Sequence, residues 1–388
     1  MSFYFAHIKA AAEVIKHLKH GMPLALQLQH FFAKNKKYGS KDRKSIATIC
    51  YQYFRVGKAF KSTPIEEKIV LANYLCSSSP NQLLASQAPA LNETVQLDVA
   101  AKCQQLGIAL TDIFAFNEML GAGIDSFLFA ASLLQQPAFF IRVRPQWHEN
   151  VTNKLKANAI AFNQVNDDAI ELPQGTKIEP LLSLNKEAVV QDLSSQQVFN
   201  YLKQHPLASS THLLQIWDCC AASGGKSILM ADVLQRPFHL LATDVRASIL
   251  NNLKQRFKEA GLKNYETKVI DATVNTSMLA DRKFDIIICD TPCSGSGTWS
   301  RTPEQMHFFE NSTLQKFTAL QLKIASQAIQ HLQKGGLFFY ITCSVFAQEN
   351  ENIVTELKQK FHLQLLQMEY IKGYQKQADS MFVAVFTV

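Results

Sequence analysis

Apolar residues recur three and four positions apart over the first third of the chain, which is the spacing of amphipathic helices. The pattern is clearest in FAHIKAAAEVIKHL, SIATICYQYFRVGKAF, IEEKIVLANYLC and DSFLFAASLL. Between the last two, residues 77–93 read SSSPNQLLASQAPALNE, where turn-forming residues predict a loop or short helices. We therefore predict an all-helical domain over residues 1–133.

The pattern changes near Pro137 into shorter stretches. AFFIRVR predicts a strand that places Phe140, Arg142 and Arg144 on one face. WHENVTNKLKANA then returns to a helical period, and AFNQVNDDAIEL predicts a pair of short strands. Together these elements predict a small α+β subdomain over residues 134–205.

From residue 213 onward, short apolar stretches alternate with amphipathic ones. Strands are predicted in LLQIWDCC, HLLATD, ETKVID, FDIIICD, GGLFFYITCS and MFVAVFTV. The intervening helices include ASILNNLKQRFKEAG, which ends on the helix-stop residue Gly261. This alternation predicts an α/β fold with a doubly wound, mostly parallel sheet over residues 206–388. Ligands of such sheets bind beyond the carboxyl ends of the strands.

Composition narrows the class of protein. The chain has 388 residues, of which 47% are hydrophobic and 18% charged, as in folded soluble proteins. No apolar run reaches the roughly 18 residues of a membrane span, and the N-terminus predicts an amphipathic helix rather than a signal peptide. Eight cysteines in so long a chain do not predict a disulfide scaffold. We expect a cytoplasmic protein with reduced thiols and no membrane partner.

The positive charge is concentrated in the predicted helical domain. The formal net charge is +7, yet residues 1–61 alone hold twelve Lys or Arg against two acids, Glu13 and Asp42. The densest part is KNKKYGSKDRK, residues 34–44. Such a cluster is either a solvated basic face or a surface that contacts the phosphates of nucleic acid, and charge alone leaves both interpretations open.

A turn of small residues follows the first strand of the predicted sheet, in DCCAASGGKS, residues 218–227. Small residues at a strand-to-helix turn let the backbone approach a ligand closely. A phosphate-binding loop needs a glycine five residues before Gly225, and Cys220 stands there, so the spacing excludes that motif. A purely structural turn also fits this segment by itself.

Acidic residues follow the next three predicted strands: Asp244, Asp271 and Asp290. One such Asp is often only a helix cap, whereas an acid at this position can also bind a ribose hydroxyl. Three in succession after a small-residue turn predict an adenosine-type ligand. Because no phosphate-binding signature is present, S-adenosylmethionine fits better than a nucleotide.

Two cysteines, Cys293 and Cys343, follow the last two parallel strands of the predicted sheet. Taken singly, each is a small hydrophobic residue; together they are expected to face one cleft. Zinc is not expected, because no C-x-x-C pair or nearby histidine pair has ligand spacing. A thiolate beside a methyl donor can add to carbon-6 of a pyrimidine and so make carbon-5 nucleophilic. The residues themselves do not rank the two cysteines.

DCCAASGGK, CDTPCSGSGTWSRTPE and GGLFFYITCSVFAQENENIV resemble, in order, the motifs of Nop/Sun-type RNA cytosine-5 methyltransferases, which include the bacterial Sun/Fmu enzymes. The resemblance covers residues 137–388, where VVQDLSSQQ is similar to the segment before the first core strand and AFFIRVR to a strand of the RNA-recognition-motif-like subdomain. The basic helical region with KDRKSIATICYQYFRVG is similar to the NusB-like RNA-binding domain of the bacterial members.

The resemblance also implies roles for individual residues. Cys343 corresponds to the nucleophile, Cys293 to the cysteine that assists product release, and Asp290 to a residue that contacts the base and the donor. The small residues 294–297 would make room for a flipped-out cytosine. The residues implied to hold S-adenosylmethionine are Cys220, Ala221, Ala222, Ser223, Gly224, Gly225, Lys226, Asp244, Asp271 and Asp290.

Three residues depart from the family pattern. Ser223 replaces a proline of the donor loop, Thr291 replaces an alanine and would add a hydroxyl beside the base pocket, and Arg144 replaces an asparagine and bears on RNA contact. None of the three removes a reacting group.

The family implies a function for the whole chain: transfer of a methyl group from S-adenosylmethionine to carbon-5 of a cytosine in RNA, with ribosomal RNA favoured, by a monomer without a metal. Two alternatives stay open, a transfer RNA cytosine-5 methyltransferase and a non-catalytic RNA-binding ribosome assembly factor. A DNA cytosine methyltransferase lacks support, because no target-recognition region is inserted before the final strand.

Overall fold

The computed structural model of the chain describes residues 3–274 and 276–388 and divides into two compact units. The helical unit consists of the described part of Met1–Leu120 with Ile124–Pro137 and Thr298–Glu310. The sheet unit consists of Gly121–Gly123, Ala138–Gly297 and Asn311–Val388.

The helical unit contains the amphipathic helices that the apolar spacing predicts. Its helices are α1 (Phe3–His17), α2 (Leu24–Lys34), α3 (Ser40–Arg55), α4 (Ile65–Cys76), α5 (Gln82–Gln87), α6 (Pro89–Glu93), α7 (Val99–Gln105), α8 (Leu110–Ile113) and α9 (Ser126–Leu133). The apolar faces of α1, α2 and α3 form its main core, around the buried Leu24, Ile46 and Phe54. In the turn-rich stretch after α4, Asn81 caps α5 by accepting a hydrogen bond from the Leu84 N–H at 3.1 Å.

A short segment from much later in the chain also belongs to the helical unit. Trp299 is fully buried there against the rings of Phe114 and Phe309. The buried Arg55 donates from Nη1 to the Ser300 carbonyl at 2.6 Å. This segment, which includes a further helix, α14 (Pro303–Phe308), directly follows the PCSGSG loop of the sheet unit. The chain therefore passes from one unit to the other immediately after that loop.

The small subdomain forms a four-stranded antiparallel sheet in the order β2-β3-β1-β4. Its elements are β1 (Phe139–Val143), α10 (His148–Ala157), β2 (Asn163–Gln164), β3 (Ala169–Leu172) and β4 (Ala188–Val190), followed by α11 (Asn200–Gln204). Ile141 and Val143 pack with Val151 and Leu155 of α10 in its core. The predicted strand, helix and strand pair are all present.

A seven-stranded sheet in the order β10-β11-β9-β8-β5-β6-β7 forms the rest of the sheet unit and confirms the predicted doubly wound fold. Its strands are β5 (Leu214–Asp218), β6 (Phe238–Asp244), β7 (Tyr265–Val269), β8 (Phe284–Asp290), β9 (Leu332–Thr342), β10 (Gln364–Ile371) and β11 (Met381–Thr387). The helices are α12 (Gly225–Leu234), α13 (Ala247–Ala260), α15 (Asn311–Ile329) and α16 (Glu351–Phe361). The five strands from β5 to β9 are parallel, whereas β11 runs antiparallel to both of its neighbours.

The sequence pattern does not reveal β10. This strand pairs only with β11, so it lies at an edge of the sheet and most of its side chains are partly or fully exposed. Without a buried face it lacks the apolar alternation by which strands are recognised.

The register of the central strands determines where their ends meet. Asp218 of β5 pairs with Ile288 of β8, and Asp290 of β8 pairs with Ile341 of β9. Because the three strands are parallel, their carboxyl ends lie side by side at one edge of the sheet. The loops that carry the candidate chemistry all leave from this edge.

Within residues 3–274 and 276–388, none of the helices combines the length and the apolar character that crossing a membrane requires.

Candidate active site

The two cysteines that follow β8 and β9 touch each other. The sulfurs of Cys293 and Cys343 lie 3.3 Å apart, and both residues are half-buried. The hydrogen bond to Cys343, together with burial, raises the pKa of Cys293 well above the usual range of a thiol. The raised pKa favours the protonated form of Cys293, which can donate a hydrogen bond to the Cys343 sulfur.

A lysine and an aspartate form an ion pair beside this sulfur. Lys226 Nζ lies 2.5 Å from Asp290 Oδ2, with both side chains largely buried. Burial acts to lower the pKa of Lys226, but the Asp290 carboxylate and the nearby Cys343 sulfur outweigh it, so the pKa is raised. The ammonium group thus stays charged beside Asp290 and near the Cys343 sulfur.

The predicted donor loop makes a tight, left-handed turn between β5 and α12. Ala222 and Gly224 have φ angles of 44° and 81°. A side chain at Gly224 would come within 2.4 Å of the Phe257 ring, so this position requires glycine. Ser223 accepts a hydrogen bond from Arg256 Nη1 through its hydroxyl at 2.8 Å, which holds the loop on α13 in place of the missing proline.

The remaining loop residues surround this turn. Ala221 is buried and donates from its N–H to the Thr243 carbonyl at 2.9 Å. Cys220 is half-buried, and contact with Cys219 and burial raise the pKa of its thiol well above the usual range. Gly225 begins α12. The loop backbone is thereby hydrogen-bonded to β6 and leads directly into the first turn of α12.

The other two strand-end acids differ in their surroundings. Asp244 accepts the Ala222 N–H at 3.1 Å and pairs with Arg246, and these interactions outweigh burial and lower its pKa. Asp271 is exposed and accepts hydrogen bonds from Thr273 at 2.9 and 2.6 Å, which lower its pKa. Asp244 therefore joins the donor loop directly, whereas Asp271 lies at the surface beyond the neighbouring strand.

Asp218, which the motif comparison did not single out, lies buried beneath the donor loop. Its Oδ2 accepts a hydrogen bond from the Ser227 hydroxyl at 2.6 Å, and its Oδ1 has no hydrogen-bond partner within the described residues. Burial raises the pKa of this carboxyl group to about 7. Its position at the end of β5, in the same strand-end series as Asp244 and Asp290, is the signal that could have identified it.

We expect the stability of the protein to depend on pH through Asp218. Between about pH 4 and about pH 7 the folded protein holds this proton while the unfolded chain has released it, so the free energy of unfolding falls as the pH rises. Asp218→Asn removes this slope and is more stable than the wild type at about pH 8, by up to about 4 kcal/mol. Urea unfolding at about pH 5 and pH 8 measures both slopes; identical slopes would contradict the assignment.

Glu349 connects the two loops that carry Cys293 and Cys343. This fully buried carboxylate accepts the Ser294 N–H at 2.8 Å and the hydroxyls of Ser294 and Ser344 at 2.5 Å each. Gln321 of α15 donates to the same carboxylate at 3.0 Å. Each serine is adjacent to one of the two cysteines, so Glu349 holds the two sulfurs in register. Sequence reasoning included this residue in a motif but assigned it no role.

The small residues after Cys293 take part in this packing. Residues 294–297 are all buried. Ser296 Oγ lies 3.0 Å from Ser344 Oγ. A side chain at Gly297 would come within 2.1 Å of the Ser380 carbonyl, and its N–H donates to the Cys343 carbonyl at 2.9 Å. Loop-to-loop contacts therefore surround these small residues, and their making room for a flipped-out cytosine stays a prediction.

Replacing Glu349 tests its role in holding the loops together. Glu349→Ala leaves several buried donors without an acceptor and is expected to lower the free energy of unfolding by about 3 kcal/mol. Glu349→Gln keeps one acceptor oxygen and should cost about 1 kcal/mol. Urea unfolding measures both, with Glu351→Gln as the matched control on α16. Equal stability of all three variants would contradict the proposed bridge.

Two of the residues that depart from the family pattern lie away from an open pocket. Thr291 is buried, and its hydroxyl lies 3.5 Å from the Ile341 carbonyl. Arg144 binds Asp232 of α12 at 2.8 Å and the Ala260 carbonyl of α13 at 2.7 Å. Its guanidinium joins the small subdomain to the large sheet, and the link between Arg144 and RNA contact stays a prediction.

Across the described ranges 3–274 and 276–388, no three His, Cys, Asp or Glu side chains are arranged as metal ligands.

Comparison with known proteins agrees with this geometry. Residues 207–386 match the family described as 16S rRNA methyltransferase RsmB/F. A ribosomal RNA small subunit methyltransferase B from Enterobacter sp. (strain 638) is 26% identical over 384 residues, which cover 88% of this chain and 87% of that protein.

Solved structures show the same fold. The crystal structure of PH0851 has a TM-score of 0.74 with 16% identity and covers 100% of both chains. NSun6 from Pyrococcus horikoshii, solved with SFG, has a TM-score of 0.59 with 15% identity and covers 71% of this chain and 96% of that one. At these identities the likeness concerns the fold.

Proposed function

We propose that the chain, whose residues 207–386 match the family described as 16S rRNA methyltransferase RsmB/F, methylates carbon-5 of a cytosine in ribosomal RNA with S-adenosylmethionine as the donor. The observation that carries this proposal is the contact of two sulfurs, 3.3 Å apart, at the ends of adjacent parallel strands. Two thiols placed in this way suit a reaction in which one bonds to the base and the other assists its departure.

In the first step, the Cys343 thiolate attacks carbon-6 of the cytosine. A carbon–sulfur bond forms, the double bond between carbon-5 and carbon-6 is lost, and its electron pair makes carbon-5 nucleophilic. The Lys226 ammonium, whose pKa is raised, lies near the Cys343 sulfur. Asp290, which pairs with Lys226 at 2.5 Å, is the residue proposed to contact the polar edge of the base.

The second step releases the methylated base. With S-adenosylmethionine bound, its methyl–sulfur bond would break as the methyl group passes to carbon-5, and S-adenosylhomocysteine would leave. Carbon-5 then loses its proton to water, and the bond between carbon-6 and the Cys343 sulfur breaks to restore the ring and the thiolate. Cys293 holds a proton and lies in hydrogen-bond contact with the departing sulfur. A hydrogen bond to a leaving thiolate lowers the barrier to its departure.

The residues around the donor loop fit S-adenosylmethionine, which supplies an electrophilic methyl group when bound. Cys220 to Lys226 form the turn, and the buried Asp218 oxygen beneath it lacks a partner within the described residues. Asp244 holds the turn from β6, and Asp271 offers an exposed carboxylate. These groups are suited to bind the amino, hydroxyl and adenine parts of the donor.

The negative charge of an RNA partner is complementary to the positive charge of residues 1–61, which hold twelve Lys or Arg and two acids. Residues 1–133 are the proposed RNA-binding domain, residues 134–205 the RNA-recognition-motif-like subdomain and residues 206–388 the catalytic domain. We propose that the protein acts in the cytoplasm as a monomer and without a metal.

Sequencing of bisulfite-treated ribosomal RNA tests the proposed function. RNA from cells with and without the protein should differ at a cytosine that resists deamination only when the protein is present. Purified protein, unmodified small-subunit RNA and labelled S-adenosylmethionine should then restore the mark. Labelling of RNA at a nucleotide other than cytosine would refute carbon-5 specificity.

A further inference from the structure

The helical unit contains an open polar cavity that takes no part in the proposed reaction. It has a volume of about 560 Å³ and lies beside α3, the end of α4 and the start of α5. Its polar lining includes Lys41, Lys44, Asn73, Ser77, Ser78 and Ser79. The residues that line it include cations, hydroxyls and amides but no Asp or Glu. The cavity therefore has the chemistry of a site for an anionic, hydrogen-bonding ligand.

The two lysines are available to such a ligand. Lys41 and Lys44 are exposed and three residues apart on α3, a spacing that places both on one face of the helix. Neither forms an ion pair within residues 3–274 and 276–388. Asp42, which lies between them in the sequence, is engaged by His7 at 3.2 Å and by the Gly39 N–H at 3.0 Å. The Asp42 carboxylate is therefore bound to His7 and Gly39 and not to either lysine.

An unpaired acceptor is the second, independent sign of a ligand. Asn73 of α4 is 8% exposed and donates from Nδ2 to Gln52 Oε1 at 2.9 Å. Its Oδ1 is buried and has no partner among the residues the structure describes. A buried polar atom without a partner lowers stability, and a ligand that donates a hydrogen bond to it would remove that cost.

We propose that this cavity binds a single-stranded segment of RNA, with Lys41 and Lys44 on phosphate oxygens and Asn73 accepting a hydrogen bond from a ribose hydroxyl or a base. The proposal rests on the proposed function, which makes ribosomal RNA the substrate. The serine hydroxyls after α4 both donate and accept, as contact with ribose 2′-hydroxyls requires.

Two double variants that each remove two positive charges distinguish a specific RNA site from a general basic surface. We compare the affinity of unmodified small-subunit RNA for the double variants Lys41→Gln/Lys44→Gln and Lys36→Gln/Lys37→Gln. The control lysines are exposed, lie between α2 and α3, and do not line the cavity. The cavity pair should weaken binding by about tenfold or more and reduce the slope of log affinity against log salt by about 1.4, from two contacts with a single strand. An equal effect of both pairs would overturn the proposal.

Asn73→Leu tests the unpaired acceptor. The substitution removes the unpaired acceptor together with the 2.9 Å hydrogen bond to Gln52, two opposing effects, so the melting temperature of the free protein should change little while RNA affinity falls about fivefold or more. The salt dependence should not change, because no charge is lost. A lower melting temperature with unchanged RNA affinity would mean that Asn73 is structural and would overturn its role.

Further measurements test RNA binding at the cavity separately from methyl transfer. Binding of S-adenosylmethionine and the kcat of methyl transfer at saturating RNA should be unchanged in the cavity variants, whereas KM for RNA rises. If the wild type binds RNA through the cavity but transfers no methyl group, only the proposed function fails. Equal binding of DNA of the same sequence would overturn the contact with ribose hydroxyls.

Discussion

Cys343→Ala is expected to abolish methyl transfer, with a loss of about 10⁴-fold or more in kcat. Without a sulfur at this position nothing bonds to carbon-6, and carbon-5 stays too electron-poor to accept a methyl group. Cys343→Ser keeps the size of the side chain and its hydrogen bond to Cys293, but it should lose nearly as much, because an alcohol is a far weaker nucleophile than a thiolate. Transfer of labelled methyl groups to small-subunit RNA measures both variants.

Two controls show whether such a loss of activity comes from the missing nucleophile rather than from poor folding or weak donor binding. S-adenosylmethionine affinity by calorimetry and the melting temperature should match those of the wild type, because Cys343 is half-buried and its replacement leaves the Glu349 contacts in place. Activity within about tenfold of the wild type in Cys343→Ala would eliminate the nucleophile assignment.

Cys293→Ala should leave the enzyme trapped on its RNA. The attack by Cys343 and the methyl transfer proceed, but the departing sulfur loses the thiol that lies 3.3 Å away. A single round of labelling should therefore occur, followed by a protein–RNA complex that survives denaturing electrophoresis. Multiple-turnover activity should fall about 10²-fold or more, the range of a lost acid–base group.

The double variant Cys293→Ala/Cys343→Ala is the matched control for this complex. It should form none, because the adduct requires the Cys343 sulfur. A denaturation-resistant complex in the double variant would place the bond on another residue, and free turnover by Cys293→Ala would remove the release role from Cys293.

Local periodicity was sufficient to predict most of the elements that carry the site. FDIIICD and GGLFFYITCS are apolar over the length of a strand, and both predicted strands are present as β8 and β9. Parallel strands end at the same edge of a sheet, so the joint position of Cys293 and Cys343 also followed from the sequence. Where a strand lies at an edge, as β10 does, the apolar signal disappears and the prediction fails.

By itself, then, the sequence determined the order of elements, the doubly wound sheet and the edge at which its motifs meet, because these depend on patterns within one element. Only the tertiary structure decided that the sulfurs of Cys293 and Cys343 lie 3.3 Å apart, that Gly297 packs against Ser380, and that Glu349 bridges both cysteine loops. These facts depend on burial and on distances between residues that are far apart in the chain. Strand register and loop packing set such distances, and no local pattern encodes them.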